Sequence, residues 1–306
     1  MLGIVLMLFV AGMDYHIWQR LAVFGYLAAV ALSVAVMLFG REINGSKRWL
    51  ALGPFSFQPS EFAKVALILF LADLVTKNVK TIGKMWTLCR IMFWNIPIVG
   101  PVGASNLSTA ILILGIGVIL IFVASPKYAQ FALMGIAGAC FMGIFLALES
   151  YRLERLAIWR NPEKYEKGYQ NLQGLYAIGS GGVFGVGIGN SVQKLGFVPE
   201  AQNDMIFSII CEELGLAGAG IIVFLFLLLI WRFFLIASGS RDLFGALIAT
   251  GAMAHMMIQV ILNIAVVTNT IPNTGITLPF ISYGGTSVMF LLIEMGLVLS
   301  VSQVVD

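Results

Sequence analysis

The sequence predicts an all-α integral membrane protein, a polytopic bundle of about nine transmembrane helices with one large hydrophilic loop. Two observations carry this expectation. Of the 306 residues, 59% are hydrophobic and only 11% are charged, whereas a soluble domain is about half apolar and a quarter charged. The apolar residues also gather in long runs, which lipid accommodates and a soluble core of this size cannot.

The runs are Met1–Met13, Leu21–Phe39, Phe62–Val75, Ile91–Ala104, Leu107–Ala124, Tyr128–Leu148, Met205–Ile236, Leu243–Val267 and Gly285–Val305. A span needs roughly 20 residues, so the first, third and fourth runs are short. The fourth also contains Asn95, Pro97 and Pro101. No basic segment precedes Met1–Met13 and no small-residue cleavage site follows it, so no cleavable signal peptide is expected. Residues 149–204 form the long hydrophilic loop, rich in Gly, Tyr and charge of both signs. Loops of this length are functional or disordered, and the lack of low-complexity sequence favours an ordered, functional one.

Composition also excludes some functions. A net charge of +3 is too small to attract nucleic acid. Cys89, Cys140 and Cys211 have no close Cys or His neighbours, so neither a metal site nor a disulfide framework is expected.

Lys77, Lys80, Lys84 and Arg90 lie in one connection, with Arg20, Lys127, Arg232 and Arg241 on the same side. The positive-inside rule puts that side in the cytoplasm, together with the C-terminus. The long loop is then external, and its basic residues are discounted because long loops cross regardless of charge. The cluster around Arg48 is an exception that suggests a functional cation.

Ionisable groups at membrane depth are functional candidates. Glu61 and Lys64 are one helical turn apart and can pair, seating the helix end with Lys64 reaching outward. His255, Gln259 and Asn263 share one helical face, where hydrogen bonds between helices are the common use. Glu294 lies mid-run, and Glu212 and Glu213 lie about two turns inside the seventh run. The stretch Gly179–Gly189 has no G-x-G-x-x-G spacing and no G-K-[ST] after it, so it is not a nucleotide loop. It suits either close backbone packing or backbone donors for a lipid pyrophosphate. Asp204 ends the long loop where an apolar helix begins. It is either a first-turn acid or a carboxylate able to take a proton from a sugar hydroxyl.

Four blocks then make a pattern. Gly45-Ser-Lys-Arg-Trp-Leu-Ala-Leu-Gly53 leads into Gln58-Pro-Ser-Glu61. Gly168-Tyr-Gln170 precedes Ala177-Ile-Gly-Ser-Gly-Gly182. Val198-Pro-Glu200 precedes Asn203-Asp204 and Glu212-Glu-Leu-Gly215, and Leu278-Pro-Phe-Ile-Ser-Tyr-Gly-Gly285 closes the series. In order and spacing the chain resembles the SEDS family of bacterial cell-envelope proteins, which includes RodA, FtsW and their sporulation relative.

The resemblance implies a single membrane domain over residues 1–306. It implies a peptidoglycan glycosyltransferase in the bacterial inner membrane that polymerises lipid II on the external face. The partners it implies are a class B penicillin-binding transpeptidase and other divisome or elongasome membrane proteins. The family's proposed catalytic acid falls on Asp204 and its loop tryptophan on Trp49. Arg48, Lys64 and Lys194 are candidate cations for the diphosphate. Gln58, Ser60, Glu61, Gln170, Glu200 and Ser282 are block residues assigned to substrate contact. A divalent cation, Mg or Mn, could assist, although no ligand cluster is visible. A lipid II flippase and a non-catalytic scaffold for the transpeptidase are the alternatives.

Three departures stand out. The counterpart of the family's first span is expected to be missing. Ser105-Asn-Leu-Ser-Thr109 stands where many members carry an Asp-containing block, so Asn106 is assigned substrate contact at most. Thr274 stands where some division-type members carry Lys.

Overall fold

The computed structural model describes residues 1–43, 46–52, 55–132, 134–135 and 157–304. Most of the sixth apolar run, Cys140, the first residues of the long loop, and Gly45 and Gly53 of the first block lie outside these residues. The chain divides into two compact units. One comprises Met1–Tyr128, Ile230–Ile258 and Gly284–Asp306, and the other Ala129–Leu229 and Gln259–Tyr283.

The first unit is built on helices. It holds α1 (Leu2–Ala11), α2 (Tyr15–Phe39), α3 (Pro59–Asn78), α4 (Met85–Phe93), α5 (Ile96–Ser105) and α6 (Leu107–Ala124). A second set of helices follows later in the chain: α7 (Tyr169–Gly181), α8 (Ile206–Gly239), α9 (Leu243–Val267) and α10 (Gly285–Ser302). Among the described residues, five helices are long and apolar enough to cross a membrane: α2, α6, α8, α9 and α10. This supports the helical membrane fold but not the number nine. The first run is a ten-residue helix, and α3 has the length but carries Glu61, Lys64, Asp73 and Lys77.

The fourth run is two helices, and the reason is local. Pro97 has no N–H for the carbonyl four residues before it, so the helical ladder of α4 cannot run through it, and it sits instead in the first turn of a new helix. The chain breaks at Trp94 and Asn95 between α4 and α5. Polar side chains satisfy carbonyls at the break. The Tyr26 hydroxyl donates to Trp94 O at 2.7 Å, and Asn95 Nδ2 donates to Met92 O at 3.0 Å.

Small residues let helices approach closely, as lipid solvent requires. A Cβ on Gly296 of α10 would stand 2.6 Å from Met7 O of α1. Ser300 Oγ and Gln303 Nε2 then donate to Met13 O and Ala11 O, at 2.5 and 3.1 Å, fixing the same pair of helices. Tyr26 of α2 stacks on Phe70 of α3 with ring centroids 4.0 Å apart.

The segment between α2 and α3 is a small antiparallel sheet that the run analysis did not anticipate. It is formed by β1 (Arg41–Ile43), β2 (Ser46–Leu52) and β3 (Phe55–Phe57) in that order. Ile43 pairs with Ser46, and Leu52 with Phe55. The two residues between the first pair are Asn44-Gly45, the strongest short hairpin signal.

In the second unit, residues 157–204 of the long loop are folded rather than irregular. They contain α7 and three short 3-10 turns. The glycine-rich stretch after α7 serves a break in α8. Gly215 has φ +67°, and the helical ladder stops there. Val186 N and Gly187 N donate to Glu212 O and Glu213 O, both at 3.0 Å. Leu216 N and Ala217 N donate to Gly182 O and Val183 O, also at 3.0 Å. The backbone groups released by the break are therefore paired, as non-helical backbone at membrane depth must be. Gly185 N donates to Gly181 O. The N–H groups of Gly185, Val186 and Gly187 are thus spent inside the chain, which supports the close-packing reading of the stretch. Only glycine fits, because a Cβ on Gly181 would overlap Cys211 O, and one on Gly185 would overlap Glu213 O.

Candidate functional site

In the second unit the site centres on Asp204, two residues before α8. The residue is 8% exposed. Gln170, from the first turn of α7, directs Nε2 toward Asp204 Oδ1 at 3.5 Å, a long contact, and donates to Pro199 O at 3.2 Å. Gln170 is held in turn by Asn273, whose Nδ2 donates to Gln170 Oε1 at 3.0 Å. From α9, Asn263 Nδ2 donates to Asp204 O and Ile276 O at 2.8 and 2.7 Å. Asn263 is fully buried, and it fastens the backbone of Asp204 to the segment that carries Gly275. That glycine has φ +65° and faces Asp204 Oδ2, with 3.8 Å from its Cβ position to the oxygen.

Ser282 completes the frame. Its hydroxyl donates to Asn203 O and accepts from Leu278 N, both at 2.7 Å. Tyr283 N donates to Gln202 O at 2.8 Å. The Leu278–Gly284 block therefore holds the turn that presents Asp204. Glu200 (φ +56°) lies in the same turn and accepts from Asn203 Nδ2. Gln170, Glu200, Asp204 and Ser282 are thus gathered as the blocks suggested, although Ser282 bonds to backbone.

Lys194 is arranged differently. Its Nζ lies 2.6 Å from Glu213 Oε1, while Glu212 accepts from Ser191 Oγ at 2.5 Å and Val192 N at 3.1 Å. The two glutamates hold residues 191–194 against α8, and Lys194 is half of an ion pair.

The first unit holds a second group of sequence-derived residues. Arg48, Gln58, Ser60 and Asn106 line one pocket with Ser33, Val36, Pro59, Val102 and Ser105. The pocket is small, about 20 Å³, and partly open to solvent, and its lining is rich in hydroxyls and amides. β2 carries Arg48, and the N-terminus of α3 follows Gln58, which donates to Ser60 Oγ at 3.1 Å. Asn106 caps α6, with Oδ1 accepting from Thr109 N at 3.2 Å. Trp49 is half-buried beside Arg48 and is not among the lining residues.

Glu61 and Lys64 pair at 2.9 Å, as their spacing suggested. The expectation that Lys64 reaches outward is corrected, because its side chain is 3% exposed. The pairing carboxylate is itself buried, so the ammonium gains more from Glu61 than from snorkelling. Ser287 Oγ adds a hydrogen bond to Glu61 at 3.0 Å. The polar face of α9 is also spent on contacts within the protein. His255 Nδ1 meets Glu294 Oε2 at 2.7 Å, and Gln259 Nε2 donates to Thr277 O at 2.9 Å. Among the described residues no three His, Cys, Asp or Glu side chains gather as a metal-ligand set.

The family model described as "Cell cycle protein", FTSW_RODA_SPOVE, matches residues 1–306. The chain belongs to the FtsW/RodA/SpoVE family. Within the family it is 39% identical to Stage V sporulation protein E of Bacillus subtilis, over 99% of this chain and 84% of that protein. It is 36% identical to the probable peptidoglycan glycosyltransferase FtsW of Coxiella burnetii, over 98% of this chain and 83% of that protein. Among solved structures, a chain of a peptidoglycan synthase complex that coordinates polymerization and crosslinking matches with a TM-score of 0.84 at 28% identity, covering 99% of this chain and 86% of that one. The rod shape determining protein RodA of Thermus thermophilus matches with a TM-score of 0.72 at 28% identity, covering 99% and 84%. Like its relatives, the chain is a multi-pass membrane protein.

Sequence reasoning left two residues out of the site, Asn263 and Asn273. Asn263 was visible only as part of a polar stripe on α9, and Asn273 carried no signal of its own.

Proposed function

We propose that this chain is a peptidoglycan glycosyltransferase that polymerises lipid II, with Asp204 as the general base. The observation that carries the proposal is the setting of Asp204. Its carboxylate is nearly buried at the end of a rigid turn, and its backbone is fixed by Asn263, at the start of a membrane-crossing helix. A carboxylate held this way can accept a proton at a constant position, which general-base catalysis requires.

Asp204 takes the proton from the 4-hydroxyl of the acceptor GlcNAc. That oxygen attacks the anomeric carbon of the donor MurNAc. The bond from that carbon to the diphosphate breaks, and its electron pair leaves with the polyprenyl pyrophosphate. One displacement converts the α-linked donor to a β-1,4 link. Charge grows on the leaving diphosphate, so a nearby cation lowers the barrier. Lys194, in the same unit as Asp204 and held by Glu213, is the proposed cation. No step is assigned to a metal ion.

The site faces the cell exterior and the C-terminus lies in the cytoplasm, a reading supported by the basic connection at residues 77–90. A class B penicillin-binding transpeptidase is the proposed partner, supported by the likeness to the synthase complex.

The test is polymerisation of labelled lipid II by purified wild type and Asp204→Asn, each with a cognate transpeptidase. Glycan chains from wild type and none from a folded Asp204→Asn are expected. Equal chains from both would remove Asp204 as the base.

A further inference from the structure

From Leu74 to Leu148 the sequence has no Asp or Glu, yet it carries Lys77, Lys80, Lys84, Arg90 and Lys127. Lys77 is neutralised by Asp73 at 2.6 Å. The other four are exposed and make no ion pair among the described residues. They are also neighbours. The turn before α4 packs on the stretch that leads to Lys127, with 3.4 Å from the Cβ position of Gly83 to Pro126. The result is a patch of four cations that no carboxylate pairs among the described residues.

The α4 helix gives the patch a second property. Its inner face buries Leu88 and Ile91 completely. Its outer face, at positions 86, 89, 90 and 93, presents Trp86, Cys89, Arg90 and Phe93, and Trp86 is 81% exposed. These positions fall at helical spacings of three and four, so one stripe carries two aromatic rings with a guanidinium between them. Water does not favour two large aromatic side chains on so short a helix. The headgroup layer of a bilayer does, because an indole seats its ring there and keeps its N–H hydrated. α4 joins α3 to the apolar α5 in the chain.

We propose that α4 and its flanking lysines form a binding surface for anionic phospholipid headgroups, with Trp86 and Phe93 seated at the acyl boundary. Lys80, Lys84, Arg90 and Lys127 complement lipid phosphate, each contributing about a fivefold gain near an anionic surface. The surface is independent of the glycosyltransferase reading and of which face of the membrane is cytoplasmic.

The test uses the whole protein in a neutral detergent, titrated with brominated phosphatidylglycerol or brominated phosphatidylcholine. The readout is quenching of the Trp86 component, taken as wild type minus Trp86→Phe. Quenching by phosphatidylglycerol at much lower mole fraction than by phosphatidylcholine is expected. K80Q/K84Q/R90Q should reduce that preference by tenfold or more, to the order of a hundredfold. The charge-conserving K80R/K84R/R90K should keep it, which separates lost charge from lost folding. Equal quenching by the two lipids, or a preference that survives the neutral triple variant, would overturn the proposal. So would indifference to lipid type combined with protection of Trp86 by polyglutamate, which would mark an acidic protein partner instead.

Discussion

Lys64→Met tests a buried ion pair of the first unit. Lys64 Nζ and Glu61 Oε2 are 2.9 Å apart, with the two side chains 3% and 8% exposed. Methionine keeps an unbranched chain of similar reach and removes only the charge. Glu61 is then a buried carboxylate with one remaining hydrogen bond among the described contacts, from Ser287 at 3.0 Å. Removing one partner of a buried pair costs about 3–5 kcal/mol, because the other charge is left uncompensated. Glu61→Gln alone strands the ammonium at a similar cost. The double variant Glu61→Gln/Lys64→Met buries no charge and lets the amide oxygen still accept from Ser287, so it should return to within about 1 kcal/mol of wild type. The assay is thermal unfolding of detergent-solubilised protein. Each single variant should melt lower by roughly 10 °C and the double variant close to wild type. Wild-type stability in Lys64→Met would refute the reasoning, because it would mean that no uncompensated charge was left in the bundle. Polymerisation by the double variant then assigns the pair: retained activity makes it structural, and lost activity in a stable protein makes it part of the site.

Three further outcomes follow from the same structure. Gly215→Ala should destabilise by about 3 kcal/mol, because its backbone conformation (φ +67°, ψ −170°) is open only to glycine and its Cβ would overlap Val183 O and Gly185 N. Gly220→Ala, in the same helix with open space around its Cβ, should be neutral or mildly stabilising in the same melt. Asn263→Leu should release the Asp204 and Ile276 carbonyls, each leaving a buried acceptor unpaired at about 1–3 kcal/mol. The expected kinetic result is a kcat at least about tenfold lower with KM little changed, since the base and not the binding surface is displaced.

Composition alone determined that this protein lives in a membrane, because lipid is the only solvent that accepts so much apolar surface. The four blocks in register determined its family, and with it the choice of Asp204. Residue types within those blocks also marked Arg48, Gln58 and Ser60, and a departure from the family pattern marked Asn106; the fold brings these four to one pocket. What the sequence could not supply was the partner of each charge. Lys64 reads as an available cation until its burial against Glu61 is seen, and Lys194 does so until Glu213, nineteen residues away in the chain, is found 2.6 Å from it. The strands at 41–57 escaped a search for long apolar runs because they are three to seven residues long. The glycine-rich stretch had two open readings, and tertiary structure supports close packing by pairing Val186 N and Gly187 N with carbonyls at the break in α8. The common physical reason is that burial and hydrogen bonding are properties of pairs. Asn263 reaches Asp204 across 59 residues and Ser287 reaches Glu61 across 226, so only the folded chain reveals which groups each one holds.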